Sequence, residues 1–199
     1  MNSRFNAKFL AIGACAIALA FAAGCHSSAS GSIGAECLTN VKLVDSAGAP
    51  FELSSLKGKP AVVDFIYTQC HGPCLMETAK MANVALRLGS DLGPKASIVT
   101  ITVDPEHDHP KQLRNYAKAQ GADDQGWYFL TGSPSDIDAA LAGFHLTRQR
   151  EPDGSVAHLV DMVLVGPSGR EVKEYNGEAV NPETIAKDVK GILSKAQAS

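Results

Sequence analysis

Ala61-Val62-Val63-Asp64-Phe65-Ile66-Tyr67-Thr68-Gln69-Cys70-His71-Gly72-Pro73-Cys74 carries an apolar, β-branched run straight into two cysteines at the start of a helical stretch. The run has the length and composition of a strand buried on both faces. Leu75, Ala79, Ala82 and Leu86 then fall at helical spacing, and Gly89 supplies a stop. Ala96 to Val103 repeats the buried-strand pattern, so the segment reads as a βαβ unit. Two soft ligands thus sit where a strand meets a helix N-terminus, whose unpaired N–H groups and partial positive charge favour thiolate over thiol. Metal binding and disulfide chemistry both use that thiolate. Three residues separate the cysteines, rather than the two of the usual redox loop, which lets both sulfurs point at one ion from one turn. The spacing leans towards a soft metal such as copper.

Outward from this unit the elements alternate. Val41 to Val44 and Phe51 to Leu53 form an N-terminal β-hairpin with Gly48 in its turn. A helix begins near Pro110 with Leu113, Tyr116 and Ala117 on its apolar face, and Trp127 to Thr131 is a strand. Ser133-Pro134-Ser135-Asp136 has the capping serine, the early proline and the acid three residues on, which starts a helix reaching about Gly143. Val156 to Val165 and Arg170 to Tyr175 flank Gly166-Pro167-Ser168-Gly169 as the two strands of a hairpin. Asn181-Pro182-Glu183 opens a last helix that uses Ile185, Val189, Ile192 and Leu193. This order places helices around a central mixed sheet, an α/β chain of thioredoxin-like type. Loops are short, and no repeat appears.

The first 24 residues read as a signal peptide of lipoprotein type. Arg4 and Lys8 open it, Phe9 to Ala23 is an uncharged apolar run short of the ~20 residues a spanning helix needs, and Ala22-Ala23-Gly24 leads directly to Cys25. This resembles a bacterial lipoprotein box, which implies that Cys25 becomes the lipidated first residue, holding the protein to a membrane on its periplasmic side. Residues 25–38, rich in serine, form a flexible tether, and residues 39–199 form one folded domain. Loss of the first 24 residues leaves 16 Lys+Arg against 21 Asp+Glu, a net charge of −5, so nothing basic remains to attract nucleic acid. Of five cysteines, Cys15 leaves with the signal and Cys25 is acylated, leaving Cys37, Cys70 and Cys74. Three are too few for a disulfide scaffold.

The chain resembles the Sco (SenC-type) copper-handling proteins of cytochrome oxidase assembly, over roughly Leu43 to Gly191. The marks are Gly58-Lys59-Pro60, Phe65-Ile66-Tyr67-Thr68-Gln69-Cys70 with Cys74, Val103-Asp104-Pro105-Glu106 with Asp108 and Pro110, Leu113 with Tyr116, and His158 followed by Pro167 and Gly169. His71 and Leu75 stand where the family commonly has proline after each cysteine. The resemblance implies a thioredoxin-like fold in which Cys70, Cys74 and His158 bind Cu(I) or Cu(II). It also implies copper delivery to the binuclear copper site of a cytochrome c oxidase subunit, or reduction of that site's thiols by Cys70 and Cys74 as a redox pair. The partner would be that subunit or another copper chaperone.

Other readings stand beside this one. Cys70 and Cys74 could form a structural disulfide, though a bridge closing so small a loop removes little unfolded-state entropy. His71, His107 and His109 are weaker candidates for copper capture, Asp104 is either a turn acid or a support to the metal residues, and Cys37 reads as a small hydrophobe. Phe65, Tyr67 and Trp127 read as core, and His26 and His145 take no role. A general thiol-disulfide oxidoreductase fits poorly, because no proline precedes the strand carrying His158. A peroxiredoxin-like peroxidase fits less well still, because Thr68 lies two residues before the cysteine rather than three.

Overall fold

The computed structural model describes residues 41–70, 72–122, 125–159 and 161–197, with only the backbone of Pro73, Cys74 and Gln197. The signal peptide, Cys25, Cys37 and the tether lie outside the described residues, as does His71. The N-terminal hairpin pairs β1 (Leu43–Asp45) with β2 (Pro50–Phe51), Leu43 facing Phe51. The βαβ unit follows as β3 (Ala61–Ile66), α1 (Pro73–Leu88) and β4 (Ser97–Thr102), with β3 and β4 parallel in a register that sets Ile66 beside Thr102. Then come α2 (Pro110–Ala119), β5 (Trp127–Gly132) and α3 (Pro134–Gly143). Ser133 caps α3, its side chain accepting the amide of Asp136 at 3.2 Å.

The chain closes with β6 (Arg148–Arg150), β7 (Val156–His158), β8 (Asp161–Val165), β9 (Glu171–Asn176) and α4 (Pro182–Gln197). Among the described residues the main sheet has seven strands in the order β2-β1-β5-β4-β3-β8-β9, parallel across β3, β4 and β5 and antiparallel elsewhere. Gly169, at φ 79°, closes the turn between β8 and β9, donating to the Gly166 carbonyl at 2.9 Å.

Alternation along the central strands divides the interior in two. Val62 and Ile66 of β3, Ile98 of β4 and Met162 and Leu164 of β8 meet α1, α2 and α4 on one face. Val63, Phe65, Val99, Ile101 and Val163 meet α3 and the turn at Leu53–Leu56 on the other. Asp64 is the polar exception, fully buried on the α1 side of β3.

Two sequence expectations are corrected. The buried stripe of α1 is Glu77, Thr78, Met81, Val84, Ala85 and Leu88, while Leu75 and Leu86 are exposed. A buried acid and threonine replace two apolar positions, which displaces the visible hydrophobic pattern. The single strand expected over Val156 to Val165 is two strands: β7 leaves the main sheet to pair with β6 in a separate two-stranded sheet, and β8 alone joins β3. Leu159, at the break, is 61% exposed.

Candidate functional site

In an open sheet, sites collect at the carboxyl ends of the parallel strands. The β3–α1 loop and the β4–α2 loop both leave from that edge. After Ile66 the chain turns so that the Cys70 amide donates to the Tyr67 carbonyl at 3.2 Å, and the Cys70 side chain joins the first core cluster. Cys70 is buried and is in no disulfide with a described residue. Cys74 lies in the first turn of α1, whose N-terminal boundary is Gly72 with Pro73 behind it. α1 has no side-chain cap, so its leading amides point at the cysteine turn.

His158 reaches the same edge by another route. β8 runs antiparallel to β3 with Val165 beside Ala61 and Val163 beside Val63, so β8 begins towards the carboxyl end of β3, and β7 precedes it there. There the imidazole meets the Tyr67 ring edge-on, centroids 6.1 Å apart. Tyr67 therefore links the two parts, its ring against His158 and its carbonyl on the Cys70 amide. Sequence reading placed it in the core. His158 Nδ1 donates to the Leu159 carbonyl at 2.9 Å, which puts the lone pair of the neutral ring on Nε2. Burial pushes its pKa below the ordinary histidine value, against the opposing effect of that hydrogen bond, so the ring is neutral at neutral pH and can ligate without first losing a proton.

Behind Cys70 lie two acids. Asp64 accepts from Thr100 Oγ1 at 2.6 Å through Oδ1, and its Oδ2 has no partner. Burial pushes its pKa up to about 7. Glu77, 1% exposed, has no partner among the described residues for either carboxylate oxygen, and burial, then the charges of Asp64 and Cys70, push it up to about 9 against the pull of Lys80. Glu77 is therefore a neutral acid at pH 7 and sets no negative charge beside Cys70.

Asp108 ties down Thr68, two residues before Cys70. Fully buried, it accepts the Thr68 amide at 2.9 Å, the Thr68 hydroxyl, and the Thr102 hydroxyl at 2.6 Å. Burial raises its pKa against these three donors. The sequence signal for it is a threonine just past the end of β3, another at the end of β4, and an acid in the loop between β4 and α2. Asp104, also buried, donates its amide to Thr102 Oγ1 at 2.9 Å, and its carboxylate accepts from Arg150 and from His107 Nδ1 at 2.9 Å. His107 is thus tied to Asp104, and His109 is exposed at the N-cap of α2. Among the described residues, which exclude the Cys74 side chain, no three His, Cys, Asp or Glu converge on one ion.

The architecture is that of the thioredoxin-like class, with a buried thiol at the first strand–helix junction of the central sheet and a histidine of the β6–β7 ribbon set against Tyr67 of the same junction. Within that class the chain belongs to the SCO1/SenC family, whose sequence model matches residues 33–194. It is similar to the SCO1/SenC family lipoprotein of Bacillus anthracis str. Ames, at 29% identity and TM-score 0.70 over 76% of this chain and 92% of that one. Bradyrhizobium japonicum ScoI with copper bound superposes at TM-score 0.67 and 28% identity, over 76% of this chain and 96% of that one. BsSco, a member of the Sco family of cytochrome c oxidase assembly proteins in which a disulfide switch was identified, matches at 36% identity and TM-score 0.66 over 77% and 91%. No helix among the described residues is long and apolar enough to cross a membrane.

Proposed function

We propose that this chain is a copper carrier that takes its cargo on Cys70, Cys74 and His158 and passes it to the copper-site subunit of a cytochrome c oxidase, or to another copper chaperone, during assembly of the binuclear site. The observation that carries this reading is the seating of His158 on Tyr67, the residue whose carbonyl fixes Cys70, with the lone pair of the neutral ring on Nε2. The donor set suits the cargo: two thiolates satisfy Cu(I), and an imidazole adds affinity for Cu(II). The copper-bound ScoI relative supports the same assignment. Leu75 and Met76 in the first turn of α1, and Leu159 beside His158, are exposed apolar side chains that suit contact with a protein recipient. Cys25 carries the lipid that holds the domain to the periplasmic side of the membrane, a reading supported by the sequence preceding it and by the lipoprotein relative.

The disulfide switch of BsSco favours a second reading of the same cysteines. Cys70 and Cys74 would give two electrons and two protons to the disulfide of the recipient's copper site, forming their own S–S bond as that disulfide opens to two thiols. An external dithiol would then restore the pair. The oxidised form has lost both thiolates and releases copper.

Titration of the reduced protein with Cu(I) and Cu(II), followed by challenge with the apo copper-site subunit, tests the proposal. One ion per chain is expected, with transfer to the subunit. His158→Ala should weaken Cu(II) far more than Cu(I). Equal losses in the two oxidation states would remove the histidine from the site.

A further inference from the structure

We propose that Arg148 and Arg150 are positioning residues for His158, clamping the β6–β7 arm to the loop after β4 so that the imidazole is held at the cysteine turn. The proposal rests on His158 being a Cu(II) ligand.

The arm needs holding. β6 and β7 contribute three residues each to a two-stranded sheet outside the main one, and such a ribbon is marginal by itself in water. Val156 and Leu146 anchor it in the second core cluster. Val156 sits at the end of β7 opposite to His158, which is followed by exposed Leu159. His158 lies directly across from Arg148 in the ladder, and Val156 across from Arg150. Directly opposed residues of an antiparallel pair are ~4.5 to 5.5 Å apart at Cα, so displacing Arg148 displaces His158.

Arg148 is fixed from three directions. Its Nη1 and Nη2 donate to Glu106 at 2.8 and 3.1 Å as a two-pronged pair, Nη1 also reaches the Val103 carbonyl at 3.1 Å, and Nε donates to Asp138 of α3 at 2.7 Å. Arg150 donates to Asp104 and to Glu106, the latter at 3.2 Å, and its other Nη binds the Gly154 carbonyl at 3.2 Å within the arm. Isolated surface ion pairs contribute little, but the Arg148 side chain is only 12% exposed and belongs to a forked, multi-charge network, the arrangement in which such pairs do count.

The same loop also fixes the thiol side. The Asp108 amide donates to the Asp104 carbonyl at 2.8 Å, and the Asp108 carboxylate holds Thr68, two residues before Cys70. His158 and Cys70 are therefore both referenced to residues 104–108, one through the arginines and the other through Asp108.

Cu(I) and Cu(II) affinities of the reduced full-length protein in detergent, with electron paramagnetic resonance for nitrogen coupling to Cu(II), test this in Arg148→Met, Arg148→Lys, Glu106→Gln, His158→Ala and the Arg148→Met/His158→Ala double variant. Arg148→Met should weaken Cu(II) by about 10- to 100-fold and erase the nitrogen coupling, with Cu(I) affinity nearly unchanged. Arg148→Lys, which keeps the charge without the fork, should recover part of the loss, and Glu106→Gln should show a smaller loss of the same kind. Arg148→Met should add nothing to His158→Ala, because both act through one imidazole. Equal loss of Cu(I) and Cu(II), full additivity with His158→Ala, or wild-type Cu(II) affinity in folded Arg148→Met would overturn the clamp. If Arg148→Met does not fold, Glu106→Gln decides by the same criterion. If His158→Ala weakens Cu(II) and the clamp variants do not, the clamp alone fails. If His158→Ala leaves Cu(II) unchanged, the ligand reading fails and takes the clamp with it.

Discussion

Glu77 and Glu106 take one side chain into opposite surroundings. Near enough to Cys70 to feel its charge, Glu77 is buried with no donor among the described residues for either oxygen, and its pKa is pushed up to about 9. On the rim by the β6–β7 arm, Glu106 receives the Arg148 fork, and that hydrogen bonding holds its pKa down at about 2. At neutral pH the first is a neutral acid in an apolar wall and the second a fixed charge that holds an arm in place. Desolvation wins inside because nothing repays it, whereas at the rim solvent lowers the cost and the guanidinium supplies the partner. Asp108 stands between these cases, as deeply buried as Glu77 but with three donors.

The largest expected effect concerns the interior. Glu77 holds a proton in the folded protein that the unfolded chain releases near the ordinary glutamate value, so folding takes up a proton between about pH 4.5 and 9. Stability of the reduced apoprotein should therefore fall as pH rises through that window, by roughly 3 kcal/mol between pH 4.5 and 7. Asp64, raised to about 7, adds slope of the same sign up to that pH. Urea unfolding at pH 5, 7 and 9 measures the slope, and Glu77→Gln should flatten most of it. An unchanged slope in that variant would mean that Glu77 is charged in the fold.

Removing a donor from Asp108 should shift it towards the Glu77 condition. Thr102→Val deletes the hydroxyl that donates to Asp108 and accepts the Asp104 amide, both in buried surroundings. A loss of about 2 kcal/mol at pH 7 is expected from urea unfolding, with the Asp108 pKa climbing further. A loss below a few tenths of that would show that the loop re-forms its bonds elsewhere.

The smallest effect is at the rim. Because Glu106 is depressed in the fold, its contribution is present above the ordinary glutamate value and is lost as pH falls from about 4.5 towards 2. Its side chain is 38% exposed, so screening holds the contribution below about 1 kcal/mol. Glu106→Gln should remove this part of the acid limb in a circular-dichroism titration, and 1 M salt, on the order of a 3 Å screening length, should shrink it in the wild type. A salt-independent acid limb of unchanged size in Glu106→Gln would assign it to other carboxylates.

The same contrast governs what could be read before the structure. Ala61 to Ile66, Ser97 to Thr102 and the Ser133 cap announce themselves because apolar strands and capping side chains follow local rules, and the central mixed sheet with flanking helices was legible from such elements. The α1 face did not, since Glu77 and Thr78 occupy buried positions that periodicity reserves for apolar residues. Nor did β6: Arg148-Gln149-Arg150 is polar throughout, and it is a strand because its arginines find carboxylates more than forty residues away in sequence, at Asp104 and Glu106. Of the candidate site, motif and family spacing singled out Cys70, Cys74 and His158 as candidates from the sequence. The roles of Tyr67 and Asp108, which seat Cys70 and His158, were not legible, because they exist only across elements.

The main sheet ends in β2 on one side and β9 on the other. β2 is two residues long and begins with Pro50, which has no amide hydrogen to offer, while β9 presents Glu171, Lys173 and Glu174 and is met by an irregularity at Leu164/Val165. Short, proline-bearing, charged or bulged edges do not template another strand. Copies of this domain are thereby kept from zippering together edge to edge, and the strand-end face, with the cysteine turn and the His158 ring set on Tyr67, stays clear of any sheet extension.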